Sequence, residues 1–566
     1  MGSRFASPLR WPLALVVVAS LTTLAGAEVE KTVHNLAAPG LTKEGGTVNP
    51  CYFCHTPHSA TAPRALWNRS VPGVTYKLYE SSTLKARLNQ PTGASRLCLS
   101  CHDGTIALDE RPEKARSKQV GVLRGRASLG TNLSDDHPIS FTYDSALSTT
   151  RGELADPAIL PSSTKLDETN QLQCTSCHDP HQDRYQKFLV MDNRFSQLCR
   201  TCHQLRGWSS SVHATSTATW KGVVLNPGAR AGYTTVAENG CANCHQVHAA
   251  GRPEALLNFD KESKNCFACH SSGSGSKDVG REFRKFSAHP VEQSESIHTP
   301  NEDLRSMSRH VACSDCHNSH ATQAGITGRS AIAGALQGIR GINSSGSRVA
   351  HASIEYEVCY SCHGLSDQPR SAMVRKDPVT NTRLEFDLSN LSFHPVEGPG
   401  KKRDILGLEP GYTSSSVIAC SACHNSDTPN ISKGPHGSTY EPILEREYAV
   451  QDPSPESYKA YSLCYKCHNR AALLSPQSAF PHKLHVVDKE APCAACHDAH
   501  GSRSSRHLIN FMTRGKNGNM VVSPSSSGRL EFQDLGNSQG RCYLRCHGSD
   551  HDSKGYPAGA QLFLRR

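Results

Sequence analysis

The chain has 566 residues, 37% hydrophobic and 6% aromatic, with 61 Lys and Arg against 51 Asp and Glu for a formal charge of +10. This is below the roughly 45–50% apolar content of ordinary globular domains, so a protein built on several self-sufficient hydrophobic cores is excluded. So is a multispan membrane protein, because the one long apolar run lies at the N-terminus.

Residues 1–27 open the chain as a secretory signal. Arg4 and Arg10 form a positive start, Trp11 to Leu24 a short apolar stretch, and Ala25-Gly26-Ala27 a small-residue cleavage site. Interrupted by Pro12, Ser20, Thr22 and Thr23, the stretch is shorter than the ~20 residues of a spanning helix. The rest of the chain is expected outside the cytoplasm, in the periplasm, on the outer-membrane surface or extracellular, and not integral to the membrane.

In an exported chain 24 cysteines would ordinarily mean disulfides. Their spacing says otherwise. Eleven pairs read Cys-x-x-Cys-His: Cys51, Cys54, His55; Cys98, Cys101, His102; Cys174, Cys177, His178; Cys199, Cys202, His203; Cys241, Cys244, His245; Cys266, Cys269, His270; Cys313, Cys316, His317; Cys359, Cys362, His363; Cys420, Cys423, His424; Cys464, Cys467, His468; and Cys493, Cys496, His497. A twelfth, Cys542 and Cys546 before His547, is widened by one residue. All 24 cysteines are used. This is the c-type haem attachment pattern, in which two thiols add to the vinyl groups of one haem and the adjacent His reaches the iron. Zinc knuckles have no use for a His after every pair. The cofactor expected is therefore haem c, twelve per chain, the last through a CxxxCH motif.

The motifs alternate. Odd-numbered ones continue to a second His, in CHTPH (His58), CHDPH (His181), CHQVH (His248), CHNSH (His320) and CHDAH (His500). Even-numbered ones lack it and mostly carry Leu, Phe or Tyr beside their cysteines, as in LCLSCH and NCFACH. The spacing predicts six dihaem units, 28–130, 131–205, 206–280, 281–370, 371–475 and 476–566. The fifth departs, since Asn-Ser-Asp follows His424. A further His precedes each unit: His34, His137, His213, His289, His394, and His482 or His485. Three of these stand before proline, which biases the preceding residue toward extended backbone. Together with His436, in KGPHG after the irregular fifth unit, these are the candidate distal ligands. His298, His310, His351, His507 and His551 are read as ordinary surface or hydrogen-bonding residues.

These residues resemble the multihaem c-type cytochromes of metal-reducing bacteria, particularly those with doubled CxxCH domains. The resemblance implies bis-His, low-potential haems close enough for electrons to hop between them. It also implies redox partners such as other cytochromes, a membrane conduit or a terminal acceptor, and in some relatives a homopolymer. The expected fold is a multihaem cytochrome, mostly irregular, with short α-helices, little β structure and the haems as its core. No nucleic-acid motif is present, and basic residues are dispersed among acidic ones. Electron transfer is the leading expectation, with no catalytic residue assigned. The alternative is a multihaem oxidoreductase reducing a small nitrogen or sulfur oxyanion at one open haem, sought first at His424. The positive charge needs no acidic partner: without Arg4 and Arg10 it is +8, and twelve haems carry 24 propionates.

Overall fold

The structure, a computed structural model, describes residues 28–37, 49–58, 60–61, 64–110, 121–219, 232–271, 277–293, 311–324, 332–365, 373–401, 405 and 407–556. The signal segment lies outside them.

Secondary structure is sparse and tied to the motifs. The longest helices are α1 (Gly93–His102), α2 (Glu262–His270) and α3 (Glu355–His363), and each ends on the His of an even-numbered motif. Odd-numbered motifs are single turns, such as Cys174–Ser176, Cys313–Asp315 and Cys420–Ala422. Most strands are two-residue pairings; the exception is a C-terminal antiparallel sheet of β1 (Glu531–Gly536), β2 (Gln539–Cys546) and β3 (Ser549–Tyr556). Among the described residues no helix is long and apolar enough to cross a membrane. Among the described residues there are few short helices, little sheet and no closed barrel, as in a multihaem cytochrome.

The chain forms two compact units. One gathers residues 1–75, 91–131 and 162–192 and holds the first three motifs; the other gathers 76–90, 132–161 and 193–566 and holds the remaining nine. Side-chain cores within them are small. One cluster joins Ile332, Ile339, Ala352 and Val358, and another joins Ile342, Tyr360, Phe386 and Val396. Among the described residues the largest gathers Ala494, Ala495, Phe511, Met512, Val521, Val522 and Leu544 beneath the C-terminal sheet. Clusters of four to seven buried apolar residues cannot offset the ordering of long irregular loops, which costs about 1–2 kcal/mol per residue.

Candidate haem sites

Each odd-numbered motif is one helical turn closed from the His N–H back to the first Cys carbonyl, at 2.8–2.9 Å in motifs 1, 3, 5, 7, 9 and 11. A recurrent loop then fixes the ring. The Nδ1–H donates to a backbone carbonyl further along the chain: His55 to Ala65 (2.5 Å), His178 to Lys187 (2.8 Å), His245 to Ala255 (2.7 Å), His317 to Ala335 (2.9 Å), His424 to Pro442 (2.9 Å) and His497 to His507 (2.8 Å). His102 does the same with Ala127 (2.7 Å). A carbonyl can only accept, so the proton sits on Nδ1 and Nε2 is left bare for a metal. Ala65, Lys187, Ala255 and His507 pay for this aim with positive φ, between 52° and 62°. That is uncommon for residues with a Cβ and is held where the surroundings over-determine it.

The even-numbered motif of each unit docks on the odd-numbered motif of the next. Ser95 accepts from the Cys174 amide (3.0 Å), and Ser196 from that of Cys241 (2.7 Å). The Glu262 carboxylate takes the Ser314 amide, and Glu355 that of Ser421, each at 2.7 Å. These bonds bring the thiols of Cys98 and Cys174, Cys199 and Cys241, Cys266 and Cys313, and Cys359 and Cys420 together.

Opposite the motif histidines stand other histidines. Two trans imidazoles on one metal, each with a metal–nitrogen bond of about 2.0 Å and its ring centre about 1.1 Å further out, have centroids about 6.2 Å apart. Nine pairs match this. For even-numbered motifs the partner is the His preceding the same unit: His34 with His102 (6.2 Å), His137 with His203 (6.2 Å), His213 with His270 (6.3 Å), His289 with His363 (6.4 Å) and His394 with His468 (6.4 Å). For odd-numbered motifs it is the second His of the following unit: His55 with His181, His245 with His320, His317 with His436 and His424 with His500, all at 6.1 Å. The two sets differ in ring orientation. Interplanar angles are 53–83° in the first and 16–43° in the second.

The partner rings are aimed as deliberately as the motif rings. The Nδ1–H of His34 donates to Pro180 (3.2 Å), His213 to Ser319 (2.9 Å), His289 to Pro435 (2.7 Å), and His394 to Ala499. In every case the acceptor is the residue just before the second His of a later unit. Pro435, before His436, thus occupies the place that Pro180 holds before His181. Carboxylates take the Nδ1–H of others: Asp179 for His181 (3.1 Å), Asp136 for His248 (3.0 Å) and Glu385 for His500 (2.8 Å). Burial lowers His203, His320, His424, His436, His468, His482 and His497 to about 4, keeping these imidazoles neutral and fit to bind a metal. His500 is different: burial works against its charge, yet the bond to Glu385 raises it.

Several expected residues stand outside these pairs. His58 is exposed, with its carbonyl accepting from Thr56. His482 meets Ser478 through Nδ1 (3.0 Å), and His497 is among the charges it feels. His547 puts Nε2 on the Asp452 carboxylate at 2.8 Å. His485 stands 6.1 Å from His551, a residue expected from the sequence to be an ordinary surface or hydrogen-bonding one. His424, first choice for an open iron, instead faces His500.

A cavity of 2950 Å³ runs through the second unit, lined by motif cysteines from Cys244 to Cys546. Single small-molecule sites occupy about 300–1,000 Å³, so this space suits several large apolar groups. Paired thiols, bare Nε2 atoms, opposed imidazoles and this cavity fit haem c.

The comparisons agree. The doubled CXXCH motif family matches residues 168–205 and 234–275, and the cytochrome c554 and c-prime family matches 419–501. With the motif geometry, these matches define the class: the chain is a multihaem c-type cytochrome. Among curated proteins it is similar to the multiheme cytochrome MtrA of Shewanella baltica (strain OS185), 24% identical over 213 residues. That match takes in 35% of this chain and 44% of the relative, so the chain spans under half the length of that protein.

Proposed function

We propose that the chain carries electrons along twelve covalently bound, mostly bis-His haems of low potential. It would work outside the cytoplasm, in the periplasm or at the cell surface, between a reduced cytochrome and a membrane conduit or terminal acceptor. The observation that carries this reading is the succession of opposed histidines at 6.1–6.4 Å along the chain. Haem c, when bound, would supply reversible one-electron chemistry, and the motif and partner histidines would hold it at a potential below that of His/Met ligation. The protein's part is to hold and tune. Motif cysteines fix each ring, and backbone carbonyls and carboxylates on Nδ1 set how strongly each imidazole donates. Docking of even on odd motifs keeps neighbouring attachment points together, and the apolar cavity walls exclude water.

Similarity to MtrA, a multiheme cytochrome by name, supports redox proteins as partners. No described pair favours the oxyanion-reductase reading, because the iron at His424 has a second imidazole in reach. Film voltammetry on the haem-loaded protein tests the proposal. Reversible waves integrating to twelve electrons per chain at low potential are expected, unchanged by nitrite, sulfite or cyanide. A catalytic current with any of the oxyanions would overturn it in favour of a reductase.

A further inference from the structure

The C-terminal motif is built unlike the other eleven. Cys542 and Cys546 lie on β2, and the hairpin turns at once: His547 (φ 48°) and Gly548 (φ 71°) form the two-residue loop into β3. Two successive positive φ values are those of a type I′ turn, whose twist matches a right-twisted hairpin. The turn removes His547 from the position that a helical CxxCH turn gives its His. The ring is committed elsewhere, with Nε2 on the half-buried Asp452 carboxylate at 2.8 Å. In the motif rings aimed through Nδ1, Nε2 is the nitrogen left for the metal.

The neighbouring strand supplies another imidazole. His551 on β3 pairs across the sheet with Leu544, while Cys546 pairs with Ser549 and Cys542 with Lys554. Residues two apart on a strand share a face, and so do residues directly opposed across strands. His551 therefore shares the face of Cys542, Leu544 and Cys546, between the two thiols, and all four line the same cavity. Across that cavity stands His485, in the π-helical turn Lys483–Asp488, with Nδ1–H donating to Pro481 at 3.0 Å and Nε2 left bare. The two rings are 6.1 Å apart and tilted by 36°, within the range of the nine other pairs.

We propose that the haem attached through Cys542 and Cys546 is ligated by His485 and His551, and that His547 is a positioning residue tied to Asp452. The cross-strand His replaces the sequence-adjacent one. The inference rests on the twelve-haem reading and adds to it the ligand set of the irregular centre. It also assigns His482 to the eleventh haem, at His497, since His485 is taken.

The test uses full-length, haem-loaded protein and its His551→Ala, His547→Ala, His551→Met and His547→Met variants. Intact mass counts the haems, and electron paramagnetic resonance with near-infrared magnetic circular dichroism of the oxidised protein reads the ligands. Twelve haems are expected in wild type. His551→Ala should convert one low-spin iron in twelve to high spin, and His551→Met should give one sulfur-to-iron band and raise one potential. The two His547 variants should leave all ligand signals unchanged. Twelve haems with loss at His547 rather than His551 would overturn the inference alone. Eleven haems in wild type would overturn the twelve-haem reading and this inference with it. If His551→Ala fails to accumulate, the Met pair still decides, because a new band requires position 551 or 547 to face the iron.

Discussion

At the scale of single residues, His436 stands where the proposed function needs a second histidine for the haem of His317. The fifth unit has Asn-Ser-Asp where its neighbours have a second His, yet His436 reaches 6.1 Å from His317 after a loop that turns through Pro435. Gly434, at φ 134°, brings the backbone against the His436 ring, in a conformation that side-chain-bearing residues rarely adopt. His436→Ala is expected to turn one low-spin iron high-spin in the oxidised spectrum. His351→Ala, which removes only a contact with Arg206, should change nothing. A second residue-level effect concerns Glu385. Its carboxylate draws on the Nδ1–H of His500 and makes that imidazole a stronger donor to ferric iron. Glu385→Gln should raise the potential of one haem in a redox titration and leave the others in place. An unchanged titration would show that Glu385 does not tune the centre.

At the scale of elements, two of the two-residue strand pairs lie beside candidate ligand histidines. Ser287 and Ala288 pair with Ser438 and Gly437, beside His289 and His436; Ser392 and Phe393 pair with Ser502 and Gly501, beside His394 and His500. Both glycines are required by close approach. A Cβ on Gly437 would fall 1.9 Å from the Glu282 carbonyl oxygen, and one on Gly501 2.1 Å from that of Glu385. Gly437→Ala and Gly501→Ala should each cost about 1–3 kcal/mol, as overpacking against backbone does, seen as a lower Tm together with a high-spin signal. A lower Tm with intact ligand spectra would mean that these strand pairs do not place the histidines.

The short helix Val236–Asn239 carries a different dependence. Thr235 and Glu238 form a capping box, and backbone N–H groups of Thr234 and Thr235 hold the Glu238 carboxyl down at about 2, against an ordinary value of 4.5. A depressed carboxylate stabilises the fold fully above its unfolded value and loses that contribution as pH falls through its folded value. The Tm gap between wild type and Glu238→Gln should therefore be widest at neutral pH and close between about pH 4.5 and pH 2. A constant gap would contradict the capping role.

At the scale of the whole molecule, much of the chemistry was legible in the sequence. The Cys spacing with its following His pointed to haem c, which the doubled CXXCH match supports, because a haem imposes that spacing locally. Second histidines such as His181 and His500 were visible because the CHxxH spacing repeats along the chain. Which iron each serves was not, since His34 aims itself on Pro180, 146 residues away, and no periodicity encodes such a crossing. His551 was passed over because its place depends on strand register, not on distance from a cysteine. The poor side-chain core was also readable, and the small clusters found here agree with it. Apoprotein made without haem attachment is therefore expected to lack a cooperative thermal transition, while the haem-loaded protein melts sharply. A sharp transition in the apoprotein would show that the side chains suffice.

The nine opposed pairs fall into two kinds of ring orientation, and the proposed function makes each of them a bis-His centre. Spin-quantified electron paramagnetic resonance of the fully oxidised, haem-loaded protein tests it most directly. Ring planes near perpendicular give strongly anisotropic low-spin signals, and planes near parallel give ordinary rhombic ones. The expected spectrum is predominantly low-spin, with at least nine irons per chain divided between these two types. Fewer than nine low-spin irons, or low-spin signals of one type alone, would contradict the bis-His pairing.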